Sequence, residues 1–251
     1  MVYPLPLAGV GGSVDAPDGY TYAAALVRLA RGDVLAALRE VRFTGWLARP
    51  EDGWLVAVAR SGAGVTAAHG RGVVGVGEWL AGRLCATVLA VRVLADRQLA
   101  LVAWADGTEI GRYVSDPSHG LPADEDVLAE PLGVEHAAAF AEACGRPETA
   151  DDLAELLAET LDPDSVIESE RLGRVLRLLG LPTWLVAAAA LPRDVPTGPV
   201  AAEVTRLGAG VPGLRGRFWG RAVEVVRRRR RPPPVVADPP RATAAVDPWV
   251  L

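Results

Sequence analysis

The sequence predicts an α+β fold: an antiparallel sheet of about five strands with flanking helices, followed by an all-helical acidic segment and a disordered tail rich in arginine and proline. Three observations predict it. Strand-like runs separated by turn-forming residues lie between residues 43 and 114. Helical periodicity with many carboxylates begins near residue 121. A run of arginines and prolines stands near the C-terminus.

Five apolar runs carry the strand signal, and two turns define their pairing. Residues 43–48 and 54–59 flank a Pro and an Asp-Gly pair, and Asp106-Gly107 separates two later runs. Asp-Gly between β-rich runs favours a hairpin. Strands joined by loops of a few residues must pair antiparallel, because parallel pairing needs a long crossover. The five predicted strands are 43–48, 54–59, 86–94, 99–104 and 108–114.

Helices are predicted before and between these strands. Apolar residues at Ala25, Leu26, Leu29 and Ala30 have helical spacing, which predicts a first helix beginning near residue 21. We expect a second helix over 34–41, which Asp33 caps. A short third helix is expected over 78–84. The predicted order of the first ~115 residues is therefore two helices, two strands, a helix and three strands.

An acidic helical segment follows. Between residues 121 and 170 there are fifteen carboxylates and a single basic residue, Arg146. Helices are predicted over 134–143, from Thr149 to about 161, from Ser165 to Gly180, and over 184–191. Thr149 with Asp152, and Ser165 with Glu168, resemble capping boxes. Two leucine-rich stripes indicate buried faces, either of a small helical module or of a helical layer that covers the sheet.

The composition changes divide the chain into four predicted regions. These are an irregular arm over 1–19, the α+β domain over 20–118, the acidic helical segment over 119–192, and a linker, basic helix and disordered tail over 193–251.

The composition predicts a cytoplasmic location. The two cysteines form no C-x-x-C pair, the N-terminus lacks a basic leader, and the longest apolar run, over 184–191, is too short to cross a bilayer. The net charge of −5 indicates no particular partner. All 26 basic residues are arginine, so an arginine here is weaker evidence for phosphate binding than usual.

A glycine-rich loop offers the main enzymatic hypothesis. Gly70 to Gly75 matches the G-x-G-x-x-G pattern of dinucleotide-binding loops, and Asp96 lies about 20 residues further on. The preceding residues form a poor strand and no alternating β-α pattern follows. A nucleotide- or dinucleotide-binding enzyme that uses this loop, with His69 or His119, is therefore kept as an alternative, and a surface loop is the simpler interpretation.

No catalytic, cofactor or metal site is predicted. The three histidines share no ligand spacing with each other or with a cysteine. Ser115 to His119 brings hydrolase-type residues together, but adjacency in sequence is not triad geometry. Cys85 is expected to be a buried apolar residue. Trp46 and Trp54 are expected to pack, as a possible cross-strand pair of the first hairpin.

The strongest functional signal is the C-terminal basic run. Eight arginines fall within the seventeen residues 215–231, interleaved with Phe218 and Trp219. The arginines are Arg215, Arg217, Arg221, Arg227, Arg228, Arg229, Arg230 and Arg231. Four interpretations compete: a solvated run, docking onto the acidic segment of this chain or a neighbour, nucleic-acid backbone binding, and attachment to an anionic membrane.

The function predicted from the sequence is that of a non-enzymatic interaction or adaptor protein. Its partner-binding residues are the basic run with Phe218 and Trp219, and the carboxylates Asp151, Asp152, Glu155 and Glu159. A protein partner or self-association is expected, without a cofactor. Nucleic-acid binding through the tail is a further alternative, membrane contact is not favoured, and no transmembrane segment is predicted.

Overall fold

The computed structural model describes residues 20–62, 64–117, 130–160, 167–191 and 193–208. Within these ranges, seven strands and five α-helices have the following bounds. The strands are β1 (Tyr22–Val27), β2 (Gly45–Leu47), β3 (Leu55–Ala59), β4 (Val88–Leu94), β5 (Gln98–Ala105), β6 (Thr108–Val114) and β7 (Thr205–Leu207). The helices are α1 (Arg31–Glu40), α2 (Val73–Leu84), α3 (Ala137–Ala143), α4 (Ala150–Ala158) and α5 (Glu168–Leu178).

The strands form one sheet in the order β6-β5-β4-β1-β3-β2-β7, and every pair in it is antiparallel. The predicted α+β class with an antiparallel sheet and flanking helices is confirmed. The sheet has seven strands instead of about five. The two strands that were not predicted are β1, at its centre, and β7, at one edge. The predicted tail lies outside the described residues.

The prediction of a helix beginning near residue 21 was wrong. Residues Tyr22–Val27 form the strand β1, which pairs with β3 on one side and β4 on the other, and all six residues are buried. A strand buried on both faces has apolar residues at successive positions, so its sequence also satisfies helical spacing. The helix predicted next is present as α1, but it begins at Arg31, so Asp33 lies inside its first turn and does not cap it.

Each face of the sheet is covered by helices. One buried cluster joins α1 and α2 to sheet residues such as Val27 and Trp104. The opposite cluster joins α3, α4, α5 and the 3-10 helix Thr183–Ala190 to sheet residues such as Leu101 and Tyr113. Gly77 allows α2 to lie close to strand β5, since a Cβ at this position would lie 2.7 Å from the Trp104 ring. The acidic segment therefore packs on the sheet as a layer, while the domain boundaries stay predictions.

Several local expectations were corrected. Helix α2 begins at Val73, five residues earlier than predicted, inside the glycine-rich motif. Cys85 is exposed instead of buried, because it ends α2 in a left-handed conformation with φ of 47°. Trp46 stands opposite Val58 in the hairpin, so Trp54 is not its direct cross-strand partner.

The caps of the acidic helices also differ from the sequence pattern. The Thr149 hydroxyl donates to the carbonyl oxygen of Arg146 at 2.9 Å and does not cap α4. Helix α5 begins after Ile167, and Glu168 is buried at its first turn. Ser165 lies outside the described residues. The predicted leucine stripes are confirmed at Leu153, Leu156 and Leu157 of α4, and at Leu172, Val175, Leu176 and Leu179.

Candidate functional site

A groove of about 690 Å³ lies between α4 and α5 on the outer surface of the helical layer. Three of the carboxylates predicted to bind a partner line it, and Asp151 is exposed at the start of the same helix. The groove is lined by Asp152, Glu155, Leu156, Ala158, Glu159, Arg174, Arg177 and Leu178.

The acidic wall of the groove follows from the periodicity of α4. Leu153, Leu156 and Leu157 point into the core, so Asp152, Glu155 and Glu159 fall on the solvent side. Residues three and four apart are neighbours on a helix surface. The helix contains no basic residue. Asp151 and Asp152 also lie in its first turn, where the exposed backbone N–H groups favour negative charge.

The opposite wall carries arginines of α5. Arg174 donates to Glu159 at 2.7 Å, and the two side chains are 52% and 43% exposed. A pair this exposed contributes little stability, because water and salt screen it. The groove therefore offers one wall of carboxylates and one wall that is partly basic, with apolar surface from the half-buried Leu178 between them.

Below the groove, buried polar groups hold the C-terminal end of α4. The Tyr113 hydroxyl donates to the carbonyl oxygen of Leu157 at 3.0 Å. Arg171 donates through Nη2 to the carbonyl oxygen of Glu159, and through Nη1 to the Tyr113 hydroxyl oxygen at 2.9 Å. The last carbonyls of a helix lack partners within it, and a cation there also meets the negative end of the helix dipole.

A buried carboxylate stands beside this arginine. The side chains of Glu168 and Arg171 are each 3% exposed, and Glu168 Oε1 lies 3.5 Å from Arg171 Nη1. Burial raises the pKa of Glu168 above its ordinary value, although the positive charge of Arg171 acts in the opposite direction. Burial likewise raises the pKa of the Tyr113 hydroxyl to about 12.

The first turn of α5 is tied to the turn between β4 and β5. Asp96 Oδ1 accepts hydrogen bonds from the Ser169 backbone N–H at 2.7 Å and from its hydroxyl at 2.6 Å. The Tyr22 hydroxyl donates to Ser169 Oγ at 2.9 Å, and its burial raises the Tyr22 pKa. We refer to Tyr22, Asp96, Tyr113, Glu168, Ser169 and Arg171 together as the buried clasp.

The carboxylates of the acidic wall were predicted from the sequence, whereas the residues of the buried clasp were not. Glu168 and Arg171 are three residues apart in an acidic, helical region, a spacing typical of a surface ion pair. Asp96 and Ser169 are 73 residues apart in the chain. The sequence signal for these residues was limited to the short polar run over 168–171, which lies beside the apolar stripe of α5. The arginines of the basic run, with Phe218 and Trp219, lie outside the described residues.

The glycine-rich loop lacks the surroundings of a dinucleotide site among the described residues. Gly72 precedes α2, but the strand before it, β3, pairs antiparallel with its neighbours. Asp96, the candidate ribose ligand, is engaged by Ser169. The β-α-β arrangement that gives this motif its meaning is thus absent from the described sheet.

Ser115 and Asp116, the described part of the hydrolase-type cluster, make hydrogen bonds to strand β5. Ser115 Oγ accepts the Leu99 backbone N–H at 2.9 Å, and Gln98 contacts the backbone oxygen of Asp116 at 2.5 Å. Both Ser115 and Asp116 are buried, and His119 lies outside the described residues. Within the described ranges, no three His, Cys, Asp or Glu side chains are grouped to hold a metal ion.

In the part of the chain that the structure describes, no helix has the length and apolar character needed to span a membrane. Comparison with known protein families, with curated proteins and with solved structures finds no match for this chain.

Proposed function

We propose that this chain is a non-enzymatic interaction protein in which the acidic wall of the α4–α5 groove receives an arginine-rich segment. The basic run over 215–231 is that segment, bound within one chain or between two copies or partners. The single observation that carries the proposal is the alignment of Asp152, Glu155 and Glu159 along one groove wall.

The length of the acidic wall is compatible with the spacing of side chains along an extended arginine-rich segment. From Asp152 to Glu159 the helix rises about 10 Å, at 1.5 Å per residue. Alternate residues of an extended chain lie about 7 Å apart. Two or three arginine side chains of a bound segment can therefore reach the wall together, while their aliphatic stems cover Leu178.

The chain length permits docking within one molecule. Strand β7 and strand β6 form opposite edges of the sheet, separated by six spacings of about 4.8 Å, or about 29 Å. The eighteen residues 209–226 connect the last described residue to the five consecutive arginines. Fully extended, such a chain spans about 60 Å, so it can cross the whole sheet and reach α4.

The individual contacts are expected to be weak. Exposed ion pairs contribute about 0–1 kcal/mol each and are screened at physiological salt. Tethering raises the effective concentration of the basic run to the millimolar range, which makes a weak contact persistent. Docking should therefore weaken as salt is raised.

Trypsin cleavage of the full-length chain tests this proposal. We expect docking to slow cleavage at Arg227 to Arg231, as followed by mass spectrometry at low salt. The double variant Asp152→Asn/Glu155→Gln should lose that protection several-fold. The matched control Asp33→Asn/Glu78→Gln removes the same charge from exposed residues of α1 and α2 on the opposite face, and should keep it.

Three results separate the alternatives. Protection that is independent of protein concentration indicates docking within one chain, and protection that rises with concentration indicates docking between chains. Cleavage at equal rates in all three proteins would refute the acidic groove as the binding surface. If duplex DNA then protected the arginines in a salt-dependent manner, nucleic-acid binding would replace this proposal.

A further inference from the structure

The first turn of α5 is docked by hydrogen bonds to the turn between β4 and β5. The Glu168 backbone N–H donates to the Asp96 carbonyl oxygen at 3.0 Å. The neighbouring Ser169 adds two bonds to the Asp96 carboxylate. The position of the Glu168 side chain is thereby set, and its carboxyl group is held 3% exposed against the sheet.

The Glu168 carboxyl group has poor compensation for a negative charge. Its distance of 3.5 Å to Arg171 exceeds the 2.7–2.9 Å typical of a strong charged hydrogen bond. Its second oxygen, Oε2, has no hydrogen-bond partner among the described residues. A buried carboxylate in this state is strongly disfavoured, and such groups commonly take up a proton instead.

Arg171 is directed toward other acceptors. Its two terminal nitrogens donate to the Tyr113 hydroxyl and to the Glu159 carbonyl oxygen at the end of α4. The negative end of the α4 dipole stabilises the guanidinium charge. A neutral Glu168 would therefore not leave this cation without acceptors.

The other charged groups that face Glu168 are acidic. Asp96 faces it from the turn between β4 and β5, and Asp116 faces it from the chain after β6, while Arg171 stands on its own helix. The Ser115 hydroxyl after β6 hydrogen-bonds to its carboxyl group and favours the ionised form, but burial has the larger effect and raises the pKa. Among the residues that the structure describes, Tyr22 of β1 and Tyr113 of β6 are the remaining titratable neighbours, and both stay neutral near physiological pH.

We propose that Glu168 makes the docking of α5 proton-linked: the first turn of α5 is held firmly on the sheet when Glu168 carries a proton, and it loosens when Glu168 ionises. The inference concerns the anchoring of the helix and does not depend on what the α4–α5 groove binds.

The direction of the pH effect follows from linkage. The pKa of Glu168 is raised in the docked state above the ordinary value of 4.5. Below pH 4.5 both the docked and the open state bind the proton, so docking is strongest there. Between the two pKa values only the docked state binds it, and docking weakens about tenfold for each pH unit. Above the raised pKa no further weakening is expected.

Two measurements on the full chain test the inference. Carbon-13 NMR of glutamate side-chain carboxyls should show one group that titrates above the others, and this signal should be missing in Glu168→Gln. Hydrogen exchange, corrected for intrinsic rates, should show protection of α5 amides falling over the same pH range. Helix α2, on the opposite sheet face, should keep its protection.

Matched variants sharpen the result. Glu168→Gln keeps the shape of the protonated acid, so its α5 protection should equal that of the wild type at low pH and should no longer change with pH. Glu170→Gln removes an exposed carboxyl group of the same turn and should behave like the wild type.

The inference would be overturned by any of four results. All glutamates could titrate near 4.5, α5 protection could stay constant through the Glu168 titration, or α2 could lose protection in parallel with α5. A Glu168→Gln protein that fails to fold would equally contradict it, because the neutral side chain is expected to support the docked state.

Discussion

Replacing Arg171 with methionine is expected to destabilise the fold strongly, although the residue lies in a helix on the charged, outer layer. Methionine keeps most of the buried length of the side chain but removes its donors. Arg171 is 4% exposed and contacts the Tyr113 hydroxyl, the Glu159 carbonyl oxygen and, more distantly, Glu168. The loss therefore affects the end of α4 and the start of α5 together.

The magnitude follows from these contacts. A hydrogen bond from a charged donor contributes about 1.5–3 kcal/mol, and Arg171 makes two of them. Removing one member of a buried ion pair costs about 3–5 kcal/mol, because the partner charge is left uncompensated. Glu168 can relieve part of that cost by taking up a proton. We therefore expect Arg171→Met to lower the free energy of unfolding by about 3–5 kcal/mol.

Urea denaturation followed by circular dichroism measures this change. The control is Arg174→Met, three residues further along α5. Arg174 also donates to Glu159, but the side chains of that pair are 52% and 43% exposed. Its loss should cost at most about 1 kcal/mol. If the two variants differed by less than about 1 kcal/mol, the structural role assigned to the buried clasp would be wrong.

Two further predictions concern backbone conformation and thiol reactivity. Gly133→Ala should cost more than about 3 kcal/mol in thermal denaturation, because Gly133 has φ of 86° and an added Cβ would lie 1.8 Å from the Arg112 carbonyl oxygen. Gly32→Ala, where a Cβ meets nothing within 4 Å, should be neutral or slightly stabilising; equal effects would contradict the argument. Burial raises the pKa of the Cys144 thiol to about 12, so alkylation at pH 8 should modify the exposed Cys85 first. Peptide mass spectrometry that found Cys144 labelled equally fast in the folded protein would refute this.

The strands and helices that the sequence predicted are those with an unambiguous local signal. The hairpin of β2 and β3 has an Asp-Gly turn between two β-rich runs, and β5 and β6 have another. In α4 and α5 the apolar stripes repeat at helical spacing beside charged residues. These patterns depend on residues close in the chain, so local physical chemistry is sufficient to specify them.

The two strands that the sequence missed lack such a signal. Strand β1 lies at the sheet centre, and the helices on both sides bury all six of its residues. Its apolar run therefore fits a helix as well as a strand. Strand β7 has three residues in a segment rich in proline and glycine, and only its pairing with β2 makes it a strand. In both cases a neighbouring strand supplies the hydrogen-bond partners.

The sequence by itself determined the class of the fold, the hairpins, the apolar faces of α4 and α5, and the line of carboxylates on α4. Tertiary structure alone decided that the acidic helices cover one face of the sheet and that Glu168, Ser169 and Arg171 are buried. The reason is physical: the helical layer closes over these residues, and their partners come from β1, β6 and the turn between β4 and β5. Burial and long-range hydrogen bonds depend on chain segments far apart in sequence, and no local pattern encodes them.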